Sequence, residues 1–533
     1  MRKNKGFTLV ELLAVIVILA IILAVAIPGI GAIINSSKKS SYNSQMNLIK
    51  KAASLYMAKY SNGTTTSVRL DDLIEAGFIK DSVVNPVTNE AFDTNIIINT
   101  SSSGNISDYE VYEGPELVTG LIPVYYDETA LAWKKADVTN NDYNWYDYNN
   151  QKWANAVTVT TGTRATYQAS AVGATITEAD ALTYFVWIPR FKYMIPAGSG
   201  AREVKASFET KYTPKSTGDA VSTYYTHPAF TFGTEELNGI WVGKFETTGS
   251  STAPTIKPDV QSLKALTVKA MYDSIKTYMQ GSSTYGLSSD SDAHMMKNME
   301  WGAAALLSGS TYGKYGNTSY TGVSKELYLN NSSGLYTGRS SGAPGGAGVL
   351  TPTYEYTSTG YYTYDGKCAF IYAGLSLPCA SGSVGQALTN KNLAYGASTT
   401  GTIYGIYDMS GGAWDYVMGV YEPNPIPATG ISDASGYSST ATDSQYNLLT
   451  INTKYYDRYL TPSSSTGAIL GDATKETAGW YGDNASFVYA DRPWFVRGGY
   501  FSYGSGAGAW SFIGYSGGVG GGVWFRVVLG PQS

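Results

Sequence analysis

The chain is poor in histidine, cysteine and charge. Its 533 residues include two histidines and two cysteines. So few histidines remove most metal-ion and acid–base chemistry. Two cysteines exclude a cysteine-rich zinc module or an iron–sulfur cluster and allow one disulfide. Charged residues make up 15% of the chain, against roughly 25% in an average soluble domain. Lysine and arginine total 37 against 42 aspartates and glutamates, a net charge of −5. Nothing supplies the broad cationic face that a nucleic-acid partner requires. The surface must therefore be built from Tyr, Ser, Thr, Asn and Gly; Tyr alone counts 45 and Gly 59. Such surfaces suit extracellular display and contact-making. At about 150 residues per domain, the length allows two to four folded units.

What the chain does have begins at its N-terminus. Arg2, Lys3 and Lys5 precede Gly6, and Phe7 to Ile30 is then almost wholly apolar. As a helix, this stretch rises about 36 Å, enough to cross a hydrocarbon core of about 30 Å. The positive charges before it keep the N-terminus cytoplasmic and send the rest outside. A secretory signal has a shorter apolar core and a small-residue cleavage site after it. Here the run continues into polar helix without one. A plain membrane anchor is the competing reading, and Glu11 speaks against it. A carboxylate inside an apolar span is costly unless something neutralises it.

The run GFTLVELL (residues 6–13) resembles the type IV prepilin signature. The resemblance implies cleavage after Gly6 by a prepilin peptidase and methylation of the new N-terminus, Phe7. It also implies that Glu11 pairs with the N-terminal amine of a neighbouring subunit during assembly. Pro28 falls where pilin helices commonly carry a loosening proline. Met46, Ile49, Ala52, Ala53, Tyr56 and Met57 continue the pattern at helical spacing. This stretch resembles the second half of a pilin spine helix, 7–60, broken by Asn62-Gly63. A short helix within 70–80, a turn at 85–92 and strand-like FDTNIIIN and YEVYE suit a small pilin head over 61–115.

From residue 116 the composition shifts. Short strand-like runs split by Gly and Asn turns replace helical periodicity. Two stretches read as helices, 260–279 and 293–313, with Leu263, Leu266, Val268, Met271, Ile275 and Met279 on one face of the first. The spans 310–360 and 430–470 read as long surface loops. YGIYDMSGGAWDYV (404–417), VRGGYF (496–501) and WFRVVL (524–529) resemble the C-type-lectin-like fold of the formylglycine-generating enzyme family. The whole is thus expected to be α+β: a long pilin helix with a small β head, then a lectin-like domain over 116–533. Gly405 and Gly411 serve tight turns, and Met409 and Trp414 anchor the core. Arg497 and Arg526 are tied by carboxylates or carbonyls at strand ends.

The enzymes of that family imply chemistry that this sequence lacks. Formylglycine-generating members bind copper through a C-terminal cysteine pair near the Phe-Arg end, where Val527, Val528 and Leu529 stand here. Cys368 and Cys379 lie far upstream, ten residues apart. They are a candidate disulfide, which an extracellular location permits; two free buried thiols are the alternative. His227 and His294 fall in structural segments and do not form the iron site of the sulfoxide-synthase relatives. Asp408, Asp415 and Glu300 could pair as acid and base, but no spacing rule joins them. No calcium-loop spacing appears. The reading is therefore non-catalytic, with no cofactor and no metal. A secreted enzyme of the formylglycine-generating type and a purely structural pilin or pseudopilin are the alternatives.

The Gly-rich stretch 497–526 fails as a phosphate loop, because no strand–loop–helix frame and no Lys-Ser/Thr follow. Apart from Trp, the residues between VRGG and FRVVL are types reachable from an Asn codon by changing adenines alone. The layout resembles the variable region of proteins diversified by retroelements, which also use a C-type-lectin-like fold. Trp510 and Trp524 then belong to the framework. Tyr500, Phe501, Ser502, Tyr503, Ser511, Ile513, Tyr515 and Val519 are the candidate ligand contacts, since Tyr and Ser give contact area and adaptable hydrogen bonds. The expected partners are other pilin subunits, the prepilin peptidase, the membrane through the N-terminal helix, and an extracellular protein or glycan ligand. The expected location is the cytoplasmic membrane before assembly and the cell-surface pilus after it.

Overall fold

In the computed structural model, residues 40–60 form a helix because every third or fourth side chain is apolar. Tyr42, Met46, Ile49, Ala52 and Ala53 make its buried face. The structure describes residues 37–38, 40–60, 67–80, 83–92, 96–100, 105–138, 145–340, 363–366, 391–423, 434–437, 449, 451–463 and 466–530. The expected leader, Gly6, Phe7 and Glu11, and the pair Cys368 and Cys379 lie outside the described residues. Among the described residues no helix is long and apolar enough to cross a membrane. The described chain divides into two compact units. The first belongs to Met1–Glu113 with Tyr212–Pro214, the second to Gly114–Lys211 with Lys215–Ser533.

In the first unit, three antiparallel strands, Ser67–Arg69, Ile96–Asn99 and Glu110–Glu113, pair in that order. The short helix Leu70–Glu75 starts where the Asp72 carboxylate accepts the Arg69 N–H at 3.0 Å. Leu70, Leu73, Phe92, Ile96, Ile98 and Val111 close one core with the buried face of helix 40–60.

The second unit is built on two sheets. Seven antiparallel strands form the larger, in the order Ala293–Met295, Val527–Leu529, Gly239–Gly243, Ala181–Pro189, Asn155–Val159, Ile122–Asp127, Ala132–Lys135. In the smaller, Trp414–Tyr421 pairs parallel with Asp457–Tyr459 and Val523–Phe525 and antiparallel with Trp494–Gly498, which pairs in turn with Gly508–Tyr515. Residues 523–529 thus enter both sheets in succession, with Arg526 at the crossover. The helix Asn298–Ser308 is buried along its whole length, as a helix apolar all round must be. Gly302 permits this: a Cβ there would sit 1.9 Å from the Gly471 carbonyl oxygen.

Three expectations are corrected. The helix expected over 260–279 is confined to Val268–Tyr278, because the Thr267 hydroxyl caps it by accepting from Ala270 N at 3.2 Å. Leu263 and Leu266 precede it. The stretch 293–313 divides into the edge strand Ala293–Met295 and the helix Asn298–Ser308. Residues 310–340 are a packed segment instead of a surface loop, with Tyr312, Tyr320, Leu327, Tyr328 and Leu329 buried. A buried ammonium holds it. Lys314 Nζ donates to the carbonyls of Glu326 and Gly396 and lies 3.7 Å from the Tyr328 ring centroid.

Candidate ligand-binding face

The strand Trp494–Gly498 runs through the core and ends on two glycines. Gly498 and Gly499 adopt φ of 83° and 85°, which favours glycine. They turn the chain outward into the loop 500–506. A Cβ on Gly499 would also meet Ala507 Cα at 2.4 Å. The loop is seated from below: Phe501 N donates to Gly412 O at 3.0 Å, and Tyr500 and Phe501 pack on buried Leu335, Ala413 and Trp524. Their rings lie 4.4 Å apart. Tyr503 stands edge-on to Trp414 at 5.5 Å and is 49% exposed. Tyr500 also lines the close approach of a second loop: a Cβ on Gly522 would sit 2.7 Å from its ring. That second loop carries Val519, 63% exposed.

The predicted contact set therefore divides. Tyr500, Phe501, Ser502 and Tyr503 share one loop, and Val519 stands on the adjoining one. Ile513 and Tyr515 are half-buried on the strand Gly508–Tyr515, and Tyr515 packs against Tyr416 at 6.0 Å. Ser511 is a correction: it is wholly buried. The segment 483–486 lies along that part of the strand. Trp510 N donates to Asp483 Oδ2 at 3.0 Å, Phe512 N to Asn484 O at 2.9 Å and Ser486 N to Phe512 O at 2.9 Å. Met409, Trp414, Trp510 and Trp524 are buried. Leu335, under the loop, escaped the sequence reading; its segment looked like surface loop, and only the fold brings it to Trp524.

The residues considered for acid–base work are also placed. Asp408 and Asp415 do come together, with Glu246 as an unforeseen third member, around Arg526. All are sealed from solvent. Arg526 donates to Gly243 O at 2.9 Å, Tyr407 O at 3.0 Å and Asp415 Oδ2 at 3.3 Å. Glu246 bonds the Ser262 hydroxyl and accepts from Ala413 N at 3.3 Å. Asp408 accepts from Asn330 Nδ2 and Gly338 N, both at 2.8 Å. Burial pushes Asp408 and Asp415 up to about 6, against the pull of Arg526. Burial and the other two carboxyls push Glu246 well above its usual range. Glu300 is elsewhere, accepting from His294 Nε2 at 3.0 Å. His227 donates to Gly471 O at 2.9 Å, and burial lowers its pKa to about 3. Among the described residues no group of three or more His, Cys, Asp or Glu could hold a metal ion.

This carboxyl cluster sets a pH dependence. A carboxyl raised in the folded state contributes stability that is present below about pH 4 and lost as pH rises through about 6. Asp408→Asn removes that loss, and Asn tolerates the φ of 62° there. From pH 4 to pH 8, the variant should gain on the parent by on the order of 1–3 kcal/mol. Urea unfolding of both proteins across that range measures it; a constant difference would contradict it.

Residues 1–27 match the family described as the prokaryotic N-terminal methylation motif. No curated protein matches the chain. The N-terminus is thus that of a type IV prepilin, the mark of a membrane-anchored precursor that a prepilin peptidase processes for pilin assembly.

Proposed function

We propose that this protein is a minor or tip pilin that displays a non-catalytic, C-type-lectin-like recognition domain on the cell surface. The observation that carries the reading is the aromatic loop 500–503. It is held from below by a closed core, yet Tyr503 leaves half its surface to solvent. Tyr presents a large, rigid contact area at low entropic cost. Val519 on the adjoining loop extends the apolar surface. The codon-accessible residue types around this framework support a segment, 497–526, that retroelement diversification varies. Several pili engaging one surface multiply a modest single-site affinity. A subunit with so large a terminal domain packs poorly along a whole fibre, which favours the tip.

The test uses piliated cells on a panel of immobilised glycans and mucins. Parent cells are expected to bind at least one member. Tyr503→Ala together with Val519→Asp should weaken that binding by about tenfold or more, the loss typical of an interface hot spot. The melting temperature of the purified chain should hardly move, since both side chains are exposed. Unchanged adhesion by the double variant would place recognition elsewhere.

A further inference from the structure

A further pair of buried carboxyls lies behind the candidate face. Asp483 follows the turn Trp480–Gly482, in which Tyr481 is held at φ 56°. Asp483 Oδ2 accepts from Trp510 N at 3.0 Å, and a Cβ on Gly508 would sit 2.1 Å from that oxygen. The next residue, Asn484, donates its backbone N–H to Gly506 O at 3.1 Å and accepts from Phe512 N at 2.9 Å. The segment 483–486 therefore fastens both the end of the loop 500–506 and the strand that follows it. Facing Asp483 is Glu326, in the packed segment 310–340. The backbone carbonyl of Glu326 takes the Lys314 ammonium.

Glu326 and Asp483 are 4% and 3% exposed, and their side chains hydrogen-bond to each other. An ionised carboxylate only accepts, so a bond between two carboxyls requires that one of them carry a proton. Among the described residues, no N–H or hydroxyl donor reaches Glu326 Oε1 or Asp483 Oδ1 in its place. The nearby cations are engaged elsewhere. Lys314 faces Glu326 and Arg497 faces Asp483. Lys314 donates to the carbonyls of Glu326 and Gly396, and Arg497 to Asn298 Oδ1, Asp472 O and Ala473 O. Tyr481 faces both carboxyls; burial and their charge push its phenol up, so it stays neutral. Burial raises Asp483 to about 7. Burial and the charge of Asp483 raise Glu326 well above its usual range.

We propose that Glu326 and Asp483 share a proton and form a pH-sensitive latch on the segment that holds the candidate face, closed in acid and loosened as the pair ionises. The sign follows from linkage. A carboxyl raised in the closed state contributes stability that is present below about pH 4 and lost as pH rises through its raised value. The closed latch keeps a proton that the open segment releases, so opening should grow about tenfold per pH unit between about pH 5 and 7. Hydrogen–deuterium exchange of the purified full chain in detergent measures that opening. It is read on peptides spanning 483–486 and 508–515 and corrected for the intrinsic exchange rate. Glu326→Gln with Asp483→Asn keeps a hydrogen bond between the two side chains and no titrating group, so its corrected exchange should not change with pH. Glu326→Gln alone, the milder change, should lessen the parent slope. Asp408→Asn should leave that slope intact, which separates the latch from the carboxyls around Arg526. Corrected exchange that is flat in the parent, that rises equally in the parent and the Gln variants, or that Asp408→Asn flattens would overturn the proposal.

Discussion

Arg526→Met is expected to leave the second unit unable to fold stably. The guanidinium sits at the crossover between the two sheets and satisfies the carbonyls of Gly243 and Tyr407 as well as Asp415. Methionine fills similar volume but returns none of these bonds. Breaking a buried charge pair by removing one partner costs about 3–5 kcal/mol. Each carbonyl left without a donor adds about 1–3 kcal/mol. A typical domain has only about 5–15 kcal/mol in hand. The loss is concentrated further because Glu246 and Asp408 then face Asp415 without the cation that pulls their pKa values down. Circular dichroism and limited proteolysis should show an open, cleavable domain. Adding Asp415→Asn should recover part of the loss, since the two residues are in contact and their effects do not add. A single variant that melts within a few degrees of the parent would refute the clamp. Arg497 offers a comparison: it bonds Asn298 Oδ1, Asp472 O and Ala473 O. The buried carboxyls of Asp472, Glu476 and Asp483 also face its charge, so Arg497→Met should cost a comparable amount.

The second large effect is expected at Glu11. A lone carboxylate in the apolar run Phe7–Ile30 is tolerated in a membrane only when a partner neutralises it. Cleavage after Gly6, which the resemblance of residues 6–13 to the prepilin signature implies, would create a positively charged amine at Phe7. In an assembled fibre, the amine of one subunit and the Glu11 of another would cancel in a medium of low dielectric, where such an attraction is strong. Glu11→Leu should therefore be processed and retained in the membrane but be missing from the sheared pilus fraction. Glu11→Asp should keep partial incorporation, because the charge survives on a shorter arm. N-terminal sequencing should find Phe7 first in all three proteins. Normal incorporation of Glu11→Leu would exclude the pairing.

Much of this architecture can be read from the chain, and the failures have physical causes. ALTYFVWIP, GIWVG and WFVRG are continuous apolar or β-branched runs, and each is a strand because burial leaves no alternation to misread. Apolar spacing continues past the helix cap at Leu263 and Leu266, so periodicity alone places the start before Thr267. The segment 310–340 reads as surface loop because its Tyr, Ser and Gly carry no core signature. Its burial depends on Lys314 meeting carbonyls far along the chain. In the same way, Glu246 carries no local mark of its partnership with Asp408 and Asp415, which lie more than 150 residues away. The candidate face was legible in part. The glycines announced loops and the tyrosines contact area, but period-two alternation alone could not show that residues 483–486 cover Ser511.

The crossover at Arg526 has one more consequence. Residues 523–529 complete the smaller sheet and then the larger, directly downstream of the candidate contacts Tyr500–Val519. A reading-frame error or early stop within 500–522 would remove that closing strand together with its guanidinium. The ribosome would then release a subunit whose interior stays open to proteases. Sequence experiments in the loops would be screened for continuity before any partner is met, because only an intact message yields a domain that shuts.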